Sequence, residues 1–191
     1  MHPFLTNKSD EELWILMRKG NKEAFSILYK RYIHPLYNFG KKITADKEII
    51  SDTLQELFTE FWDKRNKLGD VHYVKVYLFK SFRYKLIRAI SKLKKHQQGY
   101  TFEELLIETP NWEESEDARN VKRIKILKEQ IENLPKRQRE VIHLRYFHNL
   151  NNEEIAEVIN VNYQSVSNIL YRAIKKIKKN INKSTLQNFF F

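Results

Sequence analysis

Between Leu134 and Lys178 the apolar residues follow helical spacing, stop at an Asn-Val-Asn step, and resume at once. Two short helices crossed at a tight turn satisfy that pattern. Upstream of the step, residues 152–159 form one short amphipathic helix, with Asn151 or Asn152 as N-cap and Glu153 and Glu154 near the unbonded N–H groups of the first turn. Ala156 is small where two helices must cross closely. Downstream, Val166, Ile169, Leu170, Ala173, Ile174, Ile177 and Ile181 fall at i, i+3, i+4, i+7 and make one continuous apolar stripe. Within the step, Asn160 suits the left-handed conformation often given to glycine, Val161 points inward and Asn162 caps the next helix. The product is a helix-turn-helix. Its outer face carries Gln164, Ser167, Asn168, Tyr171, Arg172, Lys175 and Lys176, residue types that bond base edges and phosphates.

Charge points the same way. A formal charge of +11 makes a field that attracts polyanions and predicts binding that weakens with salt. The charge is also segregated: Lys80 to Lys95 holds seven bases and no acid, and Glu103 to Asp117 holds seven acids and no base. Two functional surfaces and a divider are expected from such blocks.

Only four Gly and four Pro interrupt the 191 residues, so an all-α fold is expected almost throughout. A first helix spans Asp10 to Lys19 behind a Ser9/Asp10 cap, with Leu13, Leu16 and Met17 inward. A second begins near Asn21, uses Phe25, Leu28, Tyr29 and Tyr32, and is disturbed at Pro35. A third runs from about Lys47, on Ile50, Leu54, Leu57, Phe58, Phe61 and Trp62, until Gly69 punctuates the chain. A fourth starts near Tyr73 and buries Leu78, Phe82, Leu86, Ile90 and Leu93. After His96 the texture changes: the acidic stretch has weak periodicity and reads as a linker, in which Phe102, Leu105, Leu106 and Trp112 are apolar enough to dock. Helical spacing returns at Ile124, Leu127, Ile131 and Leu134, and Pro135 marks a stop and a restart. The expected plan is two small helical domains joined by an acidic linker: residues 1–95, linker 96–118, a helix-turn-helix domain 119–183, and a tail 184–191 ending in Phe189-Phe190-Phe191.

Several chemistries have no carrier in this sequence. Cysteine is absent, which rules out disulfides and thiolate metal sites. There is no Gly-rich phosphate loop, no nucleophile elbow and no His-Glu-x-x-His, so neither catalytic residues nor a cofactor, metal or small-molecule substrate is expected. His143 and His148 lie five apart, a spacing that does not bring them together on a helix. No apolar run approaches the roughly twenty residues of a membrane span, and the N-terminus lacks a signal arrangement. A protein of the cytoplasm is expected.

Two segments in order carry a resemblance. The residues from Asn21 to Tyr32 (NKEAFSILYKRY) followed by those from Asp52 to Trp62 (DTLQELFTEFW) resemble the opening of bacterial extracytoplasmic-function sigma factors of the sigma-70 family, and Leu134 to Ala173 is similar to their second conserved domain. The resemblance implies a dissociable subunit that joins core RNA polymerase and directs it to promoter DNA. It implies that Asp52, Gln55 and Glu56, at i, i+3 and i+4, dock on the polymerase clamp helices. It places a base-capturing loop for the minus-ten element at about Asn66 to His72, with Lys80, Arg83, Lys85 and Arg88 supplying phosphate contacts beside Tyr73, Tyr77 and Tyr84. It assigns the minus-thirty-five element to the second helix of the helix-turn-helix: Ser167, Asn168, Tyr171 and Arg172 toward the groove, with Gln164, Lys175 and Lys176 near the backbone. An anti-sigma protein, often membrane-linked, is the further partner it implies.

Two other classes share parts of this pattern. An autonomous dimeric helix-turn-helix regulator would bind a palindromic duplex tightly without polymerase. A nucleic-acid-processing enzyme would need a carboxylate cluster that holds a divalent metal. The charge blocks add one expectation of their own, that the acidic linker mimics nucleic acid and lies over the basic helix in the free protein.

Overall fold

The computed structural model describes residues 3–96 and 118–187. The acidic linker and the phenylalanine tail, including every expectation placed on them, lie outside the described residues. The chain divides into two compact units, Met1–Leu106 with Glu157–Asn160, and Ile107–Ala156 with Val161–Phe191. Among the described residues there are helices and no strands.

The first unit contains α1 (Pro3–Thr6), α2 (Asp10–Arg18), α3 (Lys22–Gly40), α4 (Lys47–Asp63), a 3-10 turn (Arg65–Lys67) and α5 (Val74–His96). Each start is written locally. Ser9 and Glu12 form a reciprocal capping box, the Glu12 N–H donating to Ser9 Oγ at 3.2 Å and the Ser9 N–H donating to Glu12 Oε2 at 2.9 Å. Asn21 accepts from the Ala24 N–H at 2.9 Å, and Asp46 from the Ile49 N–H at 3.1 Å. Helix α2 closes at Gly20, whose φ of 90° only glycine adopts without strain.

The core of this unit is aromatic: Trp14, Phe39, Phe79 and Phe82 are its largest fully buried side chains. Their rings meet tilted or edge-on, as when Phe39 approaches Phe79 at 5.3 Å. Helix α3 does not stop at Pro35 but runs five residues further, because Leu36 and Phe39, both 0% exposed, hold its last turns in the core. It ends at Gly40, where a side chain would meet Ile50 Cγ2 at 3.0 Å and Phe82 Cζ at 3.1 Å, so α3, α4 and α5 converge on a position where a methyl group would press on both neighbours. Asp10 joins α2 to α3 by accepting from Arg31 Nη1 at 2.8 Å and from the Tyr32 hydroxyl. Burial, and then the Asp10 carboxylate, push the Tyr32 phenol far above its usual range.

Two expected boundaries move. Helix α4 ends at Asp63, and the tighter turn Arg65–Lys67 intervenes before Gly69. Leu93, expected inside, is 46% exposed on the last turns of α5, beyond the reach of α4.

The second unit contains α6 (Ala118–Glu132), α7 (Lys136–Tyr146), α8 (Asn152–Ile159) as far as Ala156, and α9 (Tyr163–Gln187). Pro135 occupies the N-cap of α7, as its position implied. Val141, Leu144, Ile155, Val166 and Ala173 are wholly buried. Arg139, itself buried, donates to the Glu132 carbonyl at 2.7 Å and so satisfies the open end of α6. Ile124 and Leu127 carry helical spacing but stand 43% and 42% exposed.

His143 and His148 do come together. Asn149, with a φ of 52°, folds the chain back after α7, and Arg145 holds that turn by donating to the Leu150 carbonyl at 3.1 Å. The two buried imidazoles then stand 4.9 Å apart edge-on, with Phe147 stacked on His143 at 4.7 Å. A turn, not helical periodicity, makes this pair.

Candidate nucleic-acid interface

Helix α8 is capped by Asn151, not Asn152. Asn151 Oδ1 accepts from the Glu153 and Glu154 N–H groups, both at 2.9 Å, and the Asn151 N–H donates to Glu154 Oε2 at 2.7 Å. The helix ends with Asn160 at φ 54°, and the Val161 N–H reaches the Ala156 carbonyl at 3.0 Å. This is the closure seen at Gly20, made here by the one other residue type that tolerates the left-handed region well. Asn162 then caps α9 by accepting from the Ser165 N–H at 2.7 Å. Three asparagines therefore fix the angle at which α9 leaves the turn.

With Val166 and Ala173 wholly buried, the opposite side of α9 is presented outward: Gln164, Asn168, Tyr171, Arg172, Lys175 and Lys176 are all exposed. Lys175 lies over the Tyr171 ring at 5.8 Å, a cation–π contact that orients both. Lys176 donates to the Asn133 carbonyl at 3.4 Å, just past the end of α6. Ser167 departs from the expected arrangement: it is half-buried and its hydroxyl accepts from Asn152 Nδ2 at 3.3 Å. That bond ties α9 to the start of α8, and the outer face of α9 loses one member. Tyr163, 53% exposed at the N-terminus of α9, joins the same surface although its position in the pattern suggests no role.

On α5, Lys80, Tyr84 and Arg88 are exposed at successive i, i+4 positions, with Tyr84 67% exposed. Arg83 is half-buried beside them. Lys85 faces the other way, because five residues turn a helix by about 140° from Lys80. Its ammonium lies 2.7 Å from Glu56 Oε1 and 2.5 Å from Glu60 Oε2 on α4. Burial alone would depress the Lys85 pKa, and the two carboxylates outweigh it so that the ammonium is held more firmly. Glu60 is pushed down to about 2 by hydrogen bonds from Lys64 and then Lys85. Tyr77 also leaves the outward set, stacked on Phe61 at 5.7 Å and edge-on to Trp14 at 5.4 Å. Tyr73 remains 66% exposed.

Asp52, Gln55 and Glu56 share one exposed stretch of α4, with Glu56 also paired to Lys85. Next to them α3 and α4 bound a groove of about 620 Å³ walled by Phe25, Tyr29, Ile33, Leu54, Phe58 and Trp62, to which Gln55 contributes. Phe25 and Tyr29 thus border a surface groove instead of filling the core. The segment 66–72 begins within the 3-10 turn, with Asn66, Lys67, Gly69, Asp70 and His72 exposed. Among the described residues no three His, Asp or Glu side chains converge as metal ligands, and no helix is long and apolar enough to cross a membrane.

Residues 124–177, which span α7, α8 and most of α9, match the family described as sigma-70, region 4. The extracytoplasmic-function RNA polymerase sigma factor SigM of Bacillus subtilis (strain 168) is 28% identical over 158 residues, covering 82% of this chain and 94% of its own. The chain is thus similar to an extracytoplasmic-function sigma factor over most of its length. Two solved structures share its fold. CnrH in complex with the cytosolic domain of CnrY has a TM-score of 0.62 at 17% identity, covering 92% of this chain and 99% of that one. The sigma factor RpoE in complex with the anti-sigma factor NepR from Bartonella quintana has a TM-score of 0.63 at 18% identity, covering 83% and 96%.

Proposed function

We infer that this sigma factor binds core RNA polymerase and directs it to initiate at promoters that it selects through two DNA contacts. The observation that carries the reading is the asparagine-set helix α9, whose exposed polar face lies within a chain that aligns with a sigma factor over 82% of its length. Residues 1–95 form the polymerase and minus-ten domain in this reading, 96–118 the linker, 119–183 the minus-thirty-five domain and 184–191 the tail. Asp52, Gln55 and Glu56 face a basic polymerase surface, for which acidic and amide groups on one exposed helical stretch are suited.

Segment 66–72 captures an unstacked base of the minus-ten element. Tyr84, Lys80 and Arg88, with Arg83 at their flank, hold the single strand by stacking and charge. Gln164, Asn168, Tyr171, Arg172 and Lys175 engage the minus-thirty-five duplex, with Ser167 and Lys176 acting mainly by fixing the pose of α9. We assign the protein no catalytic step and no cofactor, since its output is the choice of start site by the polymerase. It acts in the cytoplasm, and its inhibitor is an anti-sigma protein, the class of partner named in the RpoE–NepR complex.

The test is reconstitution. Purified protein is mixed with core RNA polymerase and genomic DNA, and transcript 5′ ends are mapped. Starts clustered behind two shared sequence boxes, lost when Asp52 and Gln55 are replaced by alanine, are the expected result. Tight binding of the free protein to a palindrome, with no effect on the polymerase, would instead support an autonomous regulator.

A further inference from the structure

We propose that α2 is the positioning element of the base-capturing segment, and that Trp14 and Arg18 set how strictly the minus-ten base is discriminated. The proposal rests on the reading of segment 66–72 given above and adds what holds that segment in place. Trp14 is 1% exposed and clamped edge-on between Phe61 at 5.6 Å and Tyr77 at 5.4 Å. Its ring therefore cannot swing, and its indole Nε1–H donates to the Gly69 carbonyl at 3.2 Å, 55 residues along the chain. One turn further on α2, Arg18 pairs with Asp70. Two consecutive residues of an exposed segment are thus tied to one helix by a backbone bond and a charge pair.

Around the tied carbonyl the packing is open: a Cβ on Gly69 would meet no atom within 4 Å. At the base of the segment, Arg65 lies over the Trp62 ring at 4.5 Å and donates to the Trp62 carbonyl at 2.7 Å, which secures the exit from α4 but not the residues beyond Leu68. The exposed side chains Asn66, Lys67 and His72 flank the two tied residues. Discrimination of a captured base depends on polar groups held in fixed places, because a pocket that can yield accepts the wrong base with little loss. Trp14 and Arg18 touch no DNA in this arrangement and act through the segment they hold.

The experiment uses full-length protein reconstituted with core polymerase on a promoter recovered by start-site mapping, with each of the four bases at the captured minus-ten position. Discrimination is the ratio of open-complex formation on the preferred base to that on the other three. Trp14→Phe keeps the ring and removes the donor, and should lower the ratio by about fivefold, the worth of one net hydrogen bond. Arg18→Asp should lower it similarly, and Arg18→Asp combined with Asp70→Arg should restore it. A lower melting temperature with unchanged discrimination in Trp14→Phe and Arg18→Asp would overturn the proposal, since a structural role alone predicts that. If Trp14→Phe fails to fold, the surface pair at Arg18 and Asp70 decides alone. Asn66→Ala and His72→Ala separate the two levels: unchanged discrimination there overturns the capture reading itself, whereas a loss there with none in the α2 variants overturns only the positioning role.

Discussion

The ammonium of Lys85 sits 2.7 Å from the Glu56 carboxylate, so a base of the α5 cluster and an acid of the exposed α4 stretch satisfy each other across the α4–α5 contact. Lys85→Gln should accordingly leave the salt dependence of holoenzyme binding to promoter DNA unchanged, because no phosphate contact is lost. Arg88→Ala should reduce the slope of log K against log salt by about one. Filter binding across a salt series distinguishes them; equal slope changes would return Lys85 to the DNA-facing set.

Glu60 supplies a pH signature. Its folded pKa of about 2 lies below the unfolded value of about 4.3. The resulting stability is fully present above the unfolded pKa and is lost as pH falls through the folded one, so the window is roughly pH 4.3 to 2. The side chain is 33% exposed, which limits the effect to about 1 kcal/mol or less after solvent screening. Glu60→Gln should lie below the wild type in denaturant-derived stability at pH 7, and the gap should close by pH 2. A gap that persists at pH 2 would assign the loss to something other than ionisation.

The turn between α8 and α9 separates two roles of one residue type. Asn162→Ala removes the acceptor for the Ser165 N–H and should cost about 0.5–2 kcal/mol. Asn160→Ala forces a Cβ into the left-handed region at a cost of about 1–2 kcal/mol, whereas Asn160→Gly should be close to neutral. Chemical denaturation of the three variants checks the order.

On the reading helix, Arg172→Ala should weaken promoter binding by about 1–3 kcal/mol and relax preference at one minus-thirty-five position. Lys175→Ala should weaken all sequences alike. Lys176→Ala should also lower stability, because its ammonium caps the end of α6 by way of the Asn133 carbonyl. Binding selections on randomised minus-thirty-five duplex, paired with melting curves, read both effects.

The contrast between these residues shows what a sequence can carry. Asn21, Asn160 and Asn162 were legible because a cap or a left-handed turn is decided within four residues. The outward face of α9 was legible because its apolar stripe fixed the helical phase. Lys85 was not, since a lysine in a basic run reads the same whether it meets solvent or two carboxylates on a neighbouring helix. Trp14 escaped notice for a related reason: its hydrogen-bond partner is 55 residues away. His143 and His148 were misjudged by helical spacing because the chain leaves the helix between them. Tyr77 and Tyr84 share a helix and a residue type, and only the packing of Phe61 and Trp14 against the former sorts core from surface.

Gly40 bears on how such a protein can diverge. With Ile50 Cγ2 3.0 Å and Phe82 Cζ 3.1 Å from where a methyl would stand, even alanine would press on side chains of the second and third long helices of the first unit. Those two helices carry the exposed acidic stretch and the basic stripe. The fit at that glycine therefore couples the placement of the two stretches, and mutational drift there would be felt by both at once.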